Sequence, residues 1–369
     1  MSDLKKKIRK KILALGFDVV GFTNPTVDKS TSNQFKNFLD KNHHGEMKWL
    51  ERHYPKKSNP KKIWEEVKTI IVVGLNYAPK ENPIELNNFK DMANISVYAR
   101  NKDYHKVISN KLFLFKDWFK KEYKLECKIF VDTAPVMEKY FAKQTKIGWL
   151  GKHTNIVSRK FGSWLFLSEI FIPTFLDIDK PSSHNCGSCS DCVKTCPTDA
   201  IFDTQIDARK CISYLTIEYK GPIPISLRKK IGNKIYGCDD CLSVCPWNKF
   251  SKATKNSNFL SINKENSLEF FLKFDVKKFG DYFVHSPIKR IGWVSFIRNV
   301  LIASGNSECK NLIPIIKKYL IHKNPIIRGA AVWAYGQLEK KKLMLLSEMK
   351  LKEKNKYVLF ELNTLNQIY

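Results

Sequence analysis

Eight of the ten cysteines fall in one 60-residue stretch, as Cys186-x2-Cys189-x2-Cys192-x3-Cys196-Pro197, then Cys211, then Cys238-x2-Cys241-x3-Cys245-Pro246. This is iron–sulfur spacing. In the bacterial ferredoxin pattern three close thiolates wrap one 4Fe-4S cluster, and the fourth, beside proline, reaches a second cluster. The second run lacks its leading cysteine, because Ile235 stands three before Cys238, and Cys211 is the substitute. Crossed ligation then assigns Cys186, Cys189, Cys192 and Cys245 to one cluster, and Cys196, Cys211, Cys238 and Cys241 to the other. Zinc ribbons need neither the third close cysteine nor the trailing prolines. Disulfides would need an oxidising compartment. The first 22 residues have too short an apolar stretch for a secretory leader, and the longest apolar run, residues 164–176, falls short of a membrane span. A reducing cytoplasm is therefore expected. Cys127 and Cys309 stand apart and read as small apolar residues.

With 369 residues and 43% hydrophobic content, the chain is long enough for two or three domains. Lys and Arg number 64 against 36 Asp and Glu, a net charge of +28. Such an excess suits a phosphate-rich partner, although lysine-decorated solvated faces are the bland alternative.

Leu4, Ile8, Ile12 and Leu15 recur at helical spacing before Gly16. Segments 17–22, 69–75, 128–131 and 164–172 read as strands, and a further strand is expected to end in Tyr98-Ala99-Arg100. Residues 103–120 have helical periodicity. Thr133-Ala134-Pro135 offers a cap and an early proline for a helix reaching about residue 146, so Asp132 falls between a strand end and a helix start. Helices dominate after the second cysteine run. Ala303-x-Gly305-Asn306 recurs as Ala334-x-Gly336-Gln337, 31 residues on, behind helices bearing Arg298 and Arg328. That resembles a short HEAT-like stack, with a terminal helical hairpin as the alternative. Residues 286–369 carry 15 Lys and Arg against 5 Asp and Glu.

Several blocks together resemble the epoxyqueuosine reductase family. They are Gly45-Glu46-Met47, Tyr98-Ala99-Arg100 with Asp103-Tyr104-His105, Asp132-Thr133-Ala134-Pro135-Val136, Gly148-Trp149-Leu150-Gly151-Lys152, Gly162-Ser163-Trp164, Cys211-Ile212-Ser213-Tyr214-Leu215-Thr216 and Gly237-Cys238-Asp239-Asp240-Cys241. The resemblance spans residues 4 to 340. It implies an α+β protein, with a nitroreductase-like α/β cobalamin domain (1–180), a ferredoxin-like two-cluster domain (181–255) and C-terminal HEAT-like repeats contacting tRNA (256–369).

The implied reaction reduces epoxyqueuosine to queuosine in the tRNA anticodon. Electrons would pass from a low-potential donor through two 4Fe-4S clusters to cobalamin, with Asp132 as proton donor. From the residues alone Asp132 reads as a helix cap, and a helix N-terminus lowers a carboxyl pKa where a donor needs it raised. The resemblance further implies cobalamin contacts at Lys57, Tyr98, Asp132, His153, Ser213, Asp239 and Asp240. Lys57 stands where relatives usually carry arginine, and His153 where they usually carry asparagine. By composition Lys57 could equally be a solvated lysine. Asp103-Tyr104-His105 lacks the glycine of the Asp-x-His-x-x-Gly corrinoid motif, so His105 is expected as a surface or packed histidine. Lys289, Arg290, Arg298 and Arg328 are expected to meet tRNA phosphates, and the chain is expected to be a monomer. A bare electron carrier and a reductive dehalogenase are the competing readings. The first has no use for the Asp132 block, and the second usually carries an export signal.

Overall fold

The computed structural model describes residues 3–202, 204–260, 266–339 and 344–368. The chain forms two compact units, each drawn from separated stretches. The first comprises Met1–Glu81, Asn101–Ala208 and Asp240–Leu260, and the second Asn82–Arg100, Arg209–Asp239 and Ser261–Tyr369.

The first unit is built on a four-stranded antiparallel sheet in the order Val19–Thr23, Thr69–Asn76, Leu165–Ile172, Lys128–Phe130. Thr69–Asn76 is rich in Ile and Val, which suit a pleated surface, and all eight of its residues are buried. In Leu165–Ile172 the register sets Glu169 opposite Val72 on one side and Phe130 on the other. An ionisable residue thus sits in the middle of the sheet.

Helix Asp3–Ala14 buries Ile8 and Ile12, and its Lys5 reaches Asp179 at 2.9 Å. Helix Tyr104–Tyr123 is capped by Asp103 and buries Ile108, Leu112, Phe115 and Phe119, one stripe at helical spacing. Val136, Phe141, Ala142 and Ile147 pack against Val67, Ile70, Val72 and Phe171. Each of the larger side chains so buried, Val, Ile or Phe, stabilises the fold by about 1.5–3 kcal/mol. That packing anchors the segment following Asp132.

The helix expected from residue 135 to about 146 is shorter, spanning Glu138–Lys143, with Met137 at its N-cap and no side-chain cap. Asp132 has φ 52°, and Thr133 N–H turns back onto Val131 O. A left-handed residue followed by a tight turn interrupts the helix that Thr133 and Pro135 suggested.

The second unit is mainly helical. Helix Gly292–Asn306 buries eleven of its fifteen residues and packs on Pro325–Leu338, which lies against Lys356–Ile368. A Cβ on Gly305 would meet Trp333 at 2.5 Å and the Ala334 Cα at 2.9 Å, so the two helices approach too closely there for a side chain. The strand expected to end at Arg100 is only Asn94–Ile95, paired parallel with Lys234–Tyr236, and Val97–Ala99 is a 3-10 turn. The Asp239 carboxylate accounts for the difference: it accepts from Ser96 Oγ at 2.6 Å and from Val97 N at 2.7 Å, which diverts the backbone from a ladder. Among the described residues no helix is long and apolar enough to cross a membrane.

Candidate active site and thiol cage

Cys186, Cys189, Cys192 and Cys245 line one cavity of about 110 Å³ with Lys152, His153, Asn185, Pro246 and Trp247. Cys186 and Cys189 come from a loop and Cys192 from the short helix Asp191–Lys194, and the fourth thiol arrives where the short helix Asp240–Ser243 gives way to Pro246. Trp149 Nε1 donates to Cys186 Sγ at 3.4 Å, and Trp149 packs edge-on against Trp247 with ring centroids 4.9 Å apart. Lys152 Nζ ties down the loop through the carbonyls of Gly187 and Cys189, both at 2.8 Å.

No disulfide joins any of the ten cysteines, all of which lie among the described residues. Burial first, then the thiols of Cys186, Cys245 and Cys189, push Cys192 up to about 11. Four thiolates so close together need a cationic core to neutralise them. Among the described residues no three Cys, His, Asp or Glu side chains converge tightly enough for a single ion. A cavity walled by four thiols instead suits a polynuclear cage. Cys196 accepts from Ala200 N at 3.3 Å, the kind of N–H···S bond that tunes cluster potential. Cys196 and Cys241 belong to the first unit, Cys211 and Cys238 to the second.

A second constellation in the first unit surrounds Asp132. Its Oδ2 accepts from Tyr104 Oη at 2.5 Å and lies 3.3 Å from His105 Nε2. His105 Nδ1 is 2.7 Å from Asp103 Oδ1, so the imidazole bridges two carboxylates. Burial would lower its pKa, but the bonds to Asp103 and Asp132 win and raise it to about 9. At neutral pH His105 is therefore an imidazolium that donates from both nitrogens. Surrounding protein works against ionisation of Asp132, yet the bonds from His105 and Tyr104 hold its carboxyl below the usual range. The helix begins at Glu138, so hydrogen bonding, and not a helix dipole, sets that direction.

The Asp132 side chain remains 55% exposed, which leaves it open to a reactant. Tyr104 is held by stacking on Phe166, with centroids 4.3 Å apart and planes 9° from parallel. Behind the loop, Glu138 Oε1 accepts the Asp132 N–H at 2.7 Å, and Lys57 Nζ donates to Val136 O at 2.9 Å. Lys57 is half-buried, not a solvated lysine; burial lowers its pKa while Glu138, Asp132 and Glu169 oppose that shift.

His153 lies on the wall of the thiol cavity. Its Nδ1 accepts from Asn155 N at 3.1 Å, and its Nε2 faces Ser163 Oγ at 3.2 Å. Burial, then Lys139, lowers it to about 4, so it is neutral. With both ring nitrogens engaged, its side chain has no donor left for a ligand. Asp240 is buried at the start of helix Asp240–Ser243. In the second unit, Tyr98, Ser213 and Asp239 lie near one another: Tyr98 borders Gly237, and Thr216, on the Ser213 helix, accepts from Gly237 N at 2.9 Å.

The basic residues separate by burial. Arg298 is 1% exposed and donates to the carbonyls of Leu215, Tyr219 and Gly221, so it braces the second unit and is withdrawn from phosphate. Arg328 is pinned by Glu353 at 2.8 and 2.9 Å and by the His322 and Lys323 carbonyls. Lys289 is exposed, and Arg290 is exposed but paired with Glu218 at 2.7 Å. Lys340, Lys341 and Lys342 lie outside the described residues.

Comparison with known proteins matches a 4Fe-4S double cluster binding domain at residues 185–248, and the model described as "Epoxyqueuosine reductase QueG, DUF1730" at residues 57–133. The first match spans the cysteine runs, the second runs from Lys57 to the Asp132 loop. Together with the thiol cavity they define an iron–sulfur oxidoreductase.

Epoxyqueuosine reductase of Vibrio cholerae is 38% identical over 86% of this chain and 87% of its own length. That of Escherichia coli K12 is 34% identical over 97% and 96%. The chain belongs to the epoxyqueuosine reductase family. A crystal structure of an epoxyqueuosine reductase with a tRNA-Tyr epoxyqueuosine-modified stem loop superposes with a TM-score of 0.90 at 27% identity, covering 98% of this chain and 97% of that one. The Bacillus subtilis enzyme, described with its catalytic aspartate loop swung out of the active site, superposes with a TM-score of 0.87 at 27% identity over 98% of each chain.

Proposed function

We propose that this chain reduces epoxyqueuosine to queuosine in the anticodon of tRNA, with two 4Fe-4S clusters and cobalamin as cofactors and Asp132 as proton donor. The observation that carries the reading is the Asp132 carboxylate, 55% exposed and held from behind by Tyr104 and His105. The reaction converts an epoxide, two electrons and two protons into an alkene and water. The ring-opened oxygen becomes an alkoxide unless a proton meets it. His105 holds a proton at rest, 3.3 Å from Asp132 Oδ2. The strongly basic alkoxide drives the transfer that the resting pair opposes: Asp132 passes a proton to the oxygen as His105 supplies one along that contact, and His105 is then recharged from solvent.

Cys186, Cys189, Cys192 and Cys245 hold one cluster, and Cys196, Cys211, Cys238 and Cys241 the other. Cobalamin, when bound, supplies a reduced cobalt able to deliver two electrons to the epoxide carbon. By hydrogen-bonding type, the side chains that would hold its carboxamide rim are Lys57 and the Tyr98 and Ser213 hydroxyls as donors, and Asp132, Asp239 and Asp240 as acceptors. Asp239 already accepts two internal bonds, and His153, its ring engaged with Ser163, would line the cobalamin site through backbone groups. The electron donor is a separate low-potential carrier, the protein acts as a monomer in the cytoplasm, and the C-terminal helices form a HEAT-like stack.

Incubation with cobalamin, a strong reductant and epoxide-bearing tRNA, followed by nucleoside mass analysis, is expected to show loss of one oxygen. An unchanged mass would overturn the reading. Binding of tRNA is expected to weaken by about 10²-fold between about 50 and 200 mM salt for about five phosphate contacts. Arg298→Ala should destabilise the fold and leave that salt slope unchanged, since Arg298 is buried.

A further inference from the structure

Glu169 is the least expected residue of the first unit. It lies in mid-strand, fully buried, with neither carboxyl oxygen given a hydrogen-bond partner. Its neighbour is the carboxyl of Glu138. As two carboxylates they have no donor between them, and only a proton on one turns their contact into a hydrogen bond. A bare carboxylate at this depth would cost several kcal/mol, roughly. Glu138 is also the residue that accepts the Asp132 N–H, which holds Asp132 in its left-handed conformation.

We propose that Glu138 and Glu169 form a proton-sharing carboxyl pair that positions Asp132 and responds to its charge. Glu138 is a positioning residue through its bond to the Asp132 backbone, and Glu169 acts through Glu138. The charged groups facing the pair are Lys57 from helix Trp49–Lys57, Lys139 from the pair's own helix and Asp132 from the loop. Burial and then Asp132 push Glu138 up to about 7, and burial and then Glu138 push Glu169 well above the usual carboxyl range. Coupling of this kind is reciprocal: an ionised Asp132 favours the proton on the pair, and a protonated Asp132 releases it. With Lys57 as the fixed positive charge, the pocket's net charge stays nearly constant while Asp132 gains and loses its proton.

The inference rests on the proposed donor role of Asp132, so its test is read first without activity. Infrared difference spectra of wild type and Glu169→Gln at neutral pH, without substrate, are expected to show a protonated-carboxyl band in wild type that the variant lacks. Glu138→Gln keeps an amide oxygen for the Asp132 N–H while removing the shared charge, and it carries the same comparison if Glu169→Gln does not fold. The turnover pH profile of either variant is expected to move by about one unit or more, following the like-charge term, with little change in melting temperature. A wild-type spectrum without the band, or band and profile unchanged in the variants, would overturn the pair. Undiminished tRNA reduction by Asp132→Asn, with the band intact in wild type, would instead sink the Asp132 reading.

Discussion

Asp132→Asn is expected to lower turnover by about 10²–10⁴-fold, the range for loss of a general acid. Iron content and overall fold should be retained. The reason lies in geometry: asparagine tolerates the left-handed φ of 52°, can still accept from Tyr104, and keeps its N–H on Glu138. What disappears is the oxygen able to take a proton from His105. Single-turnover deoxygenation of epoxide-bearing tRNA measures this, and unchanged activity would reduce Asp132 to a backbone element. The ion pair has a pH window of its own. His105 is raised from 6.5 to about 9, so its stabilising contribution is complete below pH 6.5 and is lost as pH rises through about 9. The Asp132 side of the pair is lost at the other end, as pH falls below 3.8 through its depressed pKa.

Cys245→Ala is expected to remove about four of about eight irons and to abolish turnover with any donor. Removing one wall of a four-thiol cage leaves the charge balance and the coordination incomplete. Anaerobic iron and sulfide analysis with electron paramagnetic resonance after reduction would read it. Cys309→Ala is the control that should keep all the iron, because it lies outside the cysteine runs. A Cys245→Ala protein with undiminished iron would remove Cys245 from the ligand set.

Spacing alone grouped Cys245 with Cys186, Cys189 and Cys192, and in the fold these four line one cavity. Local motifs are legible because ligand spacing is itself local geometry. The β-branched run at Thr69–Asn76 was equally readable. Glu169 was not: within an apolar run it reads as an interruption, and its meaning comes from Glu138, which lies 31 residues away in sequence. In sequence Tyr104 and His105 read as a corrinoid motif without its glycine, whereas their partner Asp132 is brought to this helix start from beyond the end of strand Lys128–Phe130. Arg298 misled for the opposite reason. Charge in a sequence says nothing of depth, and its guanidinium is consumed by carbonyls of residues 215–221.

The wide separation of Cys192 and Cys245 also constrains biogenesis. Three thiols leave the ribosome well before the fourth, so an iron-delivery machinery meets an incomplete cup until the later segment has been synthesised and has folded back. On the ligand set proposed above, loading of the first cluster would report that the polypeptide has already closed on itself. Oxidative loss of that core would then release two distant stretches of chain at once, which makes oxygen damage a folding problem as well as a redox one.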